Sequence, residues 1–206
     1  MRKIGIFGGS FDPIHFGHLR PALEILDALS LDSMRFIPSG QPPHRGAPAA
    51  SAAQRLAMLQ AALRDEPRFQ VDERELQRAA PSYTVDTLTE LRREHPADAL
   101  VLVVGMDAFL GFPGWHRWRE IFALAHVAVA HRPGWTLQTG GEIAELLRER
   151  KAEALAGTAG RVLLQPVTQF EISSTQVRET LARGGDVRWL VPEPVRAYIQ
   201  DSHCYA

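Results

Sequence analysis

Short apolar runs alternate with amphipathic stretches along most of this chain. The apolar runs are rich in Val, Ile and Leu and predict strands at residues 3–7, 34–38, 100–104, 126–130 and 162–165. Between them, apolar residues recur at helical spacing at residues 19–29, 52–64, 85–94, 118–125 and 143–155. This alternation is typical of a parallel sheet with helices on both faces. The sequence therefore predicts an α/β fold, with right-handed crossovers between its strands.

The first predicted strand runs into the segment GGSFDPIHFGH, which occupies residues 8–18. We expect Gly8 and Gly9 to adopt positive φ in a turn that brings backbone N–H groups close to a ligand. The helix that follows has free N–H donors and positive partial charge at its N-terminus, so this end favours anions. His15 and His18 are three residues apart and can point at one bound group. The segment therefore predicts a polyphosphate site.

Two other nucleotide-binding loops are excluded by the same residues. The segment has no Gly-Lys-Ser/Thr for a Walker loop, and the spacing of its glycines does not match G-x-G-x-x-G. A nicotinamide-dependent oxidoreductase would carry that second fingerprint.

Pro21 is expected near the first turn of the helix, where proline is tolerated. A strand, a glycine loop and the sequence His15-Phe16-Gly17-His18 at a helix start resemble the HxGH nucleotidyltransferase superfamily.

A second motif, ISSTQVR at residues 172–178, opens a helix predicted over residues 175–183. Ser173 or Ser174 is a natural N-cap for this helix. Hydroxyl groups, free helix N–H groups and Arg178 one turn further on make a second anion site. The motif is similar to the ISSTxxR signature of the same superfamily. The two motifs together support the resemblance more strongly than either one alone.

Further segments narrow the resemblance to the bacterial nicotinate-nucleotide adenylyltransferases, and it covers nearly the whole chain. These segments are PPHR at 42–45, PSYT at 81–84, GMD at 105–107, FPGW at 112–115 and HRPG at 131–134. The resemblance implies a Rossmann-like parallel sheet. It also implies transfer of AMP from ATP to nicotinate mononucleotide in NAD biosynthesis, giving the dinucleotide and pyrophosphate without a covalent enzyme intermediate.

The resemblance also implies roles for individual residues. His18 would stabilise the transferring phosphate and His15 would hold the triphosphate, because the reaction needs two aligned anions and compensation of the charge on the leaving group. The other residues expected to bind ATP are Gly8, Gly9, Ser10, Phe11, Arg132, Ser173, Ser174, Thr175 and Arg178. For the acceptor, the Thr84 N–H would meet the carboxylate and Trp115 would stack on the pyridine ring. His44 would close over phosphate, and Asp107 would make a contact through water or ribose.

The sequence shows no obvious carboxylate cluster for a metal held by the protein. We therefore expect no protein metal site, and Mg²⁺ that arrives with ATP. The composition agrees with one nucleotidyltransferase domain over residues 1–206, since 206 residues with 45% hydrophobic content suffice for a substantial core. A net charge of −1 argues against a protein that coats nucleic acid.

A cytoplasmic enzyme is expected. Cys204 is the single cysteine, which excludes an internal disulfide and a multi-cysteine zinc site. The sequence has no signal-type segment and no run of roughly 18 apolar residues that would cross a membrane. Oligomeric state is left open.

Two alternatives to this function remain. A sister adenylyltransferase that acts on nicotinamide mononucleotide or phosphopantetheine would keep both phosphate motifs, although the context of Thr84 and Trp115 argues against it. A nucleotide sensor would bind ATP without turnover, and the intact His15 and His18 argue against that. Judged without their context, Trp115 would be a core residue, the serines would be helix caps, and Arg178 would pair with a nearby carboxylate.

Overall fold

The computed structural model describes residues 1–41, 46–134 and 140–205. The strands in these ranges are β1 Lys3–Gly9, β2 Ser33–Pro38, β3 Phe69–Val71, β4 Ala99–Gly105, β5 His126–His131 and β6 Val162–Pro166. The helices are α1 Phe16–Ala28, α2 Ala52–Leu63, α3 Thr84–Glu94, α4 Met106–Leu110, α5 Ile121–Leu124, α6 Gly141–Arg150, α7 Ser174–Ala182 and α8 Glu193–Ser202. Short 3-10 turns cover Phe112–Gly114 and Trp118–Glu120.

The strands form one six-stranded sheet in the order β3-β2-β1-β4-β5-β6. This is the strand order of a doubly wound, Rossmann-like sheet. The strand β4 pairs in parallel with both β1 and β5, and β5 pairs in parallel with β6. Residues 99–104 of β4 are all buried, which explains why this run is apolar without alternation. The predicted α/β fold with a parallel sheet is confirmed.

The start of α1 differs from the prediction. The helix begins at Phe16, whose N–H donates to the Leu190 carbonyl at 3.1 Å, and the His15 carbonyl accepts from the N–H of His18 and Leu19. Pro21 is therefore the sixth residue of α1 and lies in its second turn, not near the first turn as expected. At this position proline has no N–H to donate to the carbonyl four residues earlier, and the helix continues past it.

Other elements also differ from the predicted pattern. The helix predicted to reach residue 155 ends at Arg150, because Lys151 leaves the helix and bridges Val162 beside β6. The helix predicted over residues 118–125 is a 3-10 turn followed by the four residues of α5. The elements β3, α4 and α8 were not predicted.

The chain divides into two compact units. The first unit contains Met1–Phe7, Pro21–Arg35 and Tyr83–Thr168, and the second contains Gly8–Arg20, Phe36–Ser82 and Gln169–Ala206. In the part of the chain that the structure describes, no helix is long and apolar enough to cross a membrane.

One arginine of the first unit fastens three of its connecting segments. Arg92, near the end of α3, donates from Nη1 to the carbonyl oxygens of His95 at 2.9 Å and Asp98 at 2.7 Å. Its Nη2 donates to the Leu124 carbonyl at 2.7 Å and to the Thr158 carbonyl at 2.9 Å. The guanidinium thus replaces water as the donor for main-chain oxygens at the ends of several elements.

His126, at the start of β5, is a satisfied core histidine. Its Nδ1 accepts from the Arg161 N–H at 3.1 Å and its Nε2 lies 3.2 Å from the Gly157 carbonyl, so the neutral ring uses both nitrogens. Burial lowers the pKa of this ring below its ordinary value, which is in keeping with a neutral structural role.

Candidate active site

The glycines at the end of β1 do not form the predicted turn. Neither Gly8 nor Gly9 adopts positive φ, because β1 continues through both and the Gly9 carbonyl accepts from the Ser39 N–H at 2.9 Å. The left-handed residue of this loop is Phe11, with φ 48°. A side chain at Gly8 would meet no atom within 4 Å, so the backbone there is open to a ligand. The backbone that is open to a ligand here therefore belongs to the extended end of β1 and not to a glycine turn.

Phe11 holds the second histidine of the motif. Its ring is 1% exposed and meets the His18 ring edge to face, with the centroids 5.3 Å apart. The rings of His15 and His18 stack at 3.8 Å between centroids. His15 lies directly before α1 and His18 lies in its first turn, as the motif predicted. The two imidazoles therefore lie together at a helix N-terminus, the end that favours anions.

Gly17 is required by this arrangement. A Cβ on Gly17 would lie 2.9 Å from His15 Nδ1 and 3.0 Å from the Ile172 carbonyl oxygen. The glycine of the HxGH sequence thus leaves room for the first histidine and for the backbone that leads into the second motif.

Burial sets the charge of the first histidine. His15 is 4% exposed, and removal from water lowers its pKa from 6.5 to about 4. Without a bound ligand the ring is therefore neutral near pH 7 and carries one N–H donor. Its Nδ1 is buried and has no hydrogen-bond partner among the described residues.

The second motif contacts the first through two carbonyl oxygens. Ser173 caps α7 by accepting from the Gln176 N–H at 3.1 Å, so the cap is Ser173 and not Ser174. The Ser174 hydroxyl instead donates to the Pro13 carbonyl at 3.0 Å. Arg178 Nη1 donates to the Asp12 carbonyl at 2.7 Å, and its Nη2 lies 3.4 Å from the Thr175 hydroxyl. The two motifs, about 160 residues apart, therefore meet within the second unit.

The sequence analysis did not identify the side chain of Asp12, which lies where the two motifs meet. Asp12 is 3% exposed, and its side chain accepts from the N–H groups of Ala49 at 2.7 Å and Ala50 at 3.0 Å and from the Tyr205 hydroxyl at 2.7 Å. Arg178 Nη1 lies 3.7 Å from its Oδ2. We call these five residues the Asp12 cluster. Its partners are so distant in sequence that no local pattern signals them.

A buried arginine supports the same loop. Arg55 of α2 is 1% exposed and donates from Nη1 to the Ser10 carbonyl at 2.8 Å. Burial lowers the pKa of its guanidinium, whereas the charge of Asp12 opposes that shift. Ser10 therefore contributes a carbonyl to the protein's own framework, a role that its predicted place in the ATP site did not include.

Three of the predicted acceptor residues, Thr84, Trp115 and Asp107, lie in the first unit. Thr84 is the first residue of α3, as expected, and Tyr83 precedes it with extended backbone. The Tyr83 ring packs against the His116 ring at an angle of 33°, with the centroids 4.3 Å apart. Arg117 Nη1 lies 3.6 Å from an Asp86 carboxylate oxygen. These two contacts fasten the segment around residue 115 to the N-terminus of α3.

Trp115 lies on this fastened segment. It is half-buried and packs on the buried Phe112 ring with the centroids 4.6 Å apart. Asp107 is exposed in the first turn of α4, directly after β4, and Arg132 is exposed directly after β5. His44 lies outside the described residues.

No group of three or more His, Cys, Asp or Glu side chains that could hold a metal ion occurs within residues 1–41, 46–134 and 140–205. The donors gathered in the second unit are imidazoles, hydroxyls, a guanidinium and helix N–H groups, and this set suits phosphate oxygens better than a cation.

The chain matches known proteins along nearly all its length. The family model described as cytidylyltransferase-like matches residues 6–180. A relative from Aeromonas hydrophila named probable nicotinate-nucleotide adenylyltransferase is 48% identical over 206 residues, covering 98% of this chain and 96% of the relative. A relative of the same name from Dechloromonas aromatica is 49% identical over 210 residues, covering 98% and 97%.

Solved structures share the fold. Plasmodium falciparum nicotinic acid mononucleotide adenylyltransferase complexed with NaAD has a TM-score of 0.75 at 15% identity and covers 100% of this chain and 98% of that chain. The same protein complexed with APC also has a TM-score of 0.75, at 16% identity. At these identities the likeness concerns the fold alone.

Proposed function

Since the chain belongs to the nicotinate-nucleotide adenylyltransferase family, we propose that it transfers AMP from ATP to nicotinate mononucleotide, in NAD biosynthesis. A phosphate oxygen of nicotinate mononucleotide attacks the α-phosphorus of ATP, and the bond from that phosphorus to the β-phosphate oxygen breaks. The products are nicotinate adenine dinucleotide and pyrophosphate. The observation that carries the proposal is the stacked pair of His15 and His18 at the start of α1, joined through Asp12 and Pro13 to the second motif.

The triphosphate side of the reaction is assigned to the second unit. His18 stabilises the transferring phosphate, and His15 donates its one N–H to the triphosphate. A bound polyphosphate also favours protonation of a nearby imidazole, which opposes the effect of burial on the pKa of His15. Backbone N–H groups of Gly8, Gly9, Ser10 and Phe11, the start of α7 from Ser173 to Thr175, and Arg178 are assigned to the remaining phosphate oxygens and the nucleotide.

The acceptor side is assigned to the first unit. The eleven-residue helix α3 begins at Thr84, and the free N–H groups of a helix N-terminus suit the nicotinate carboxylate. The Trp115 ring packs against the Phe112 ring and offers a flat surface for the pyridine ring. Asp107 is assigned a contact through water or ribose. His44 on the acceptor phosphate and Arg132 on the nucleotide stay predictions.

We assign the magnesium complex of ATP as the nucleotide substrate. In this complex the ion offsets phosphate charge and is part of the substrate. The donors of the second unit are imidazoles, hydroxyls, a guanidinium and helix N–H groups, and these suit the phosphate oxygens of that complex. A cytoplasmic location and a single domain over residues 1–206 also stay predictions.

The test is pyrophosphate release from Mg-ATP with three acceptors in parallel: nicotinate mononucleotide, nicotinamide mononucleotide and phosphopantetheine. Strong preference for nicotinate mononucleotide is expected, because Thr84 offers donors to a carboxylate that an amide fits less well. Preference for another acceptor would overturn the acceptor assignment and keep nucleotidyl transfer. No release with any acceptor, despite ATP binding, would favour the nucleotide sensor.

A further inference from the structure

Tyr205, which follows α8, contacts the loop between β1 and α1. Tyr205 donates its hydroxyl to Asp12 Oδ1 at 2.7 Å. Burial raises the pKa of this phenol above its ordinary value, and the bond to Asp12 raises it further, so the hydroxyl keeps its proton at all ordinary pH. Tyr205 therefore acts as a permanent donor to a buried carboxylate.

The backbone around Tyr205 is held in an unfavourable conformation. His203 and Tyr205 have φ of 50° and 73°, in the left-handed region that side chains with a Cβ rarely adopt. The Cys204 side chain between them is buried. Non-glycine residues keep such conformations where surrounding contacts determine them. His203 is the residue that caps the C-terminus of α8, and the hydroxyl of Tyr205 is bonded to Asp12.

Asp12, whose carboxylate accepts this bond, also contacts the second motif through its backbone carbonyl. Asp12 offers its side chain to Ala49, Ala50 and Tyr205, and it offers its backbone carbonyl to Arg178. A buried carboxylate is fixed in orientation by the number of donors around it. Loss of the phenol leaves Oδ1 with the Ala50 N–H alone as its bonded donor among the described residues, so the side chain and the attached peptide gain freedom.

We infer that Tyr205 is a positioning residue for the phosphate loop, acting through Asp12. It does not touch the reacting atoms. By fixing Asp12 it fixes the carbonyl that holds Arg178, and with it the alignment of the first motif with the start of α7. The inference rests on the proposed function in one respect, namely that this loop binds the triphosphate of ATP.

The test compares wild type, Tyr205→Phe and a matched control, Tyr198→Phe, which removes a phenol of α8 that is not part of the Asp12 cluster. Equilibrium affinity is measured for a non-hydrolysable ATP analogue with Mg²⁺, together with the KM for ATP, the KM for the acceptor and the thermal midpoint. We expect Tyr205→Phe to weaken analogue binding and raise the KM for ATP by about fivefold, part of what one charge-assisted hydrogen bond is worth. The KM for the acceptor should not change, and Tyr198→Phe should behave as wild type.

The outcomes separate this role from a purely structural one. A lower thermal midpoint for Tyr205→Phe with unchanged analogue affinity and unchanged KM for ATP would overturn the inference. So would an equal loss in both variants, or failure of the wild-type chain to bind the analogue. If wild type binds the analogue but turns over no acceptor, the proposed function fails, and the analogue affinities still decide the role of Tyr205.

Discussion

At the scale of single residues, burial makes His15 a source of pH-dependent stability. Its pKa falls from 6.5 to about 4 on folding, so the unfolded chain binds a proton that the folded chain rejects. This contribution is fully present above pH 6.5 and is lost as the pH falls towards 4, and it amounts to about 3 kcal/mol across that window. We expect His15→Asn to lose correspondingly less stability over the same range.

Urea unfolding of wild type and His15→Asn at several pH values between 4 and 7.5 measures this difference. The variant should keep some of the slope, because burial also lowers the pKa of His126. Parallel curves for the two proteins would contradict the assignment to His15.

His18 is expected to act on the transition state. His18→Ala should lower kcat by roughly 100-fold or more, the scale of one lost electrostatic stabiliser, while affinity for ATP largely survives. Steady-state kinetics and analogue binding check both parts. His203→Asn, at an exposed position where asparagine tolerates the left-handed backbone, is the control. Near-normal turnover of His18→Ala would remove His18 from the chemistry.

Single residues also mark how far the candidate site could be predicted from sequence. Both histidines and the α7 cap were predictable, because their signals lie within a few residues of one another at helix starts. Asp12 and Tyr205 were not, because their contact spans 193 positions and neither residue type signals it locally. Phe11 was expected to bind ATP, and its buried ring also supports His18.

At the scale of elements, the segment that carries Trp115 is fixed to the start of α3 by the two residues that follow the tryptophan, His116 against Tyr83 and Arg117 beside Asp86. Trp115→Ala should therefore raise the KM for nicotinate mononucleotide by about tenfold, the value of one aromatic stack, with little change in the KM for ATP. Trp189→Ala is the matched control, since Trp189 is 86% exposed. Equal acceptor KM values for wild type and Trp115→Ala would exclude stacking on this ring.

Periodicity predicted the long elements and missed those that tertiary contacts define. The strand β3 has three residues, too few for any pattern to appear. The end of α6 is fixed by the bridge from Lys151 to Val162, a contact with a distant residue that propensity does not register. The helix α8 packs against α2, and this packing stabilises a ten-residue amphipathic segment that the sequence analysis did not assign.

At the scale of the whole molecule, ligand binding should raise thermal stability. With a free Mg-ATP analogue at 100 times its Kd, the folded state gains about 2.7 kcal/mol, which corresponds to a rise in Tm of roughly 5–10 °C for a chain of this size. Excess EDTA should remove most of the rise, because the uncompensated triphosphate binds more weakly. Thermal scans with and without EDTA measure this. Equal shifts would mean that the metal plays no part in binding.

The fold class was predictable at this scale because alternating strands and helices permit few arrangements. The strand order β3-β2-β1-β4-β5-β6 was not, since periodicity does not tell on which side of its neighbour each new strand is added. The division into two compact units was likewise invisible in composition, because each unit is assembled from three separate stretches of chain.

Arg92 has a consequence for how this sequence can diverge. Its bonds to the segments around residues 95–98, 124 and 158 end on main-chain oxygens, which every amino acid carries. Arg92 therefore constrains the lengths of those segments and not their side chains, although Asp98 has its own ion pair with Arg2. Lysine at position 92 would keep the charge and lose the planar fork that reaches three segments at once. Among homologues, we expect an invariant arginine and connections of constant length.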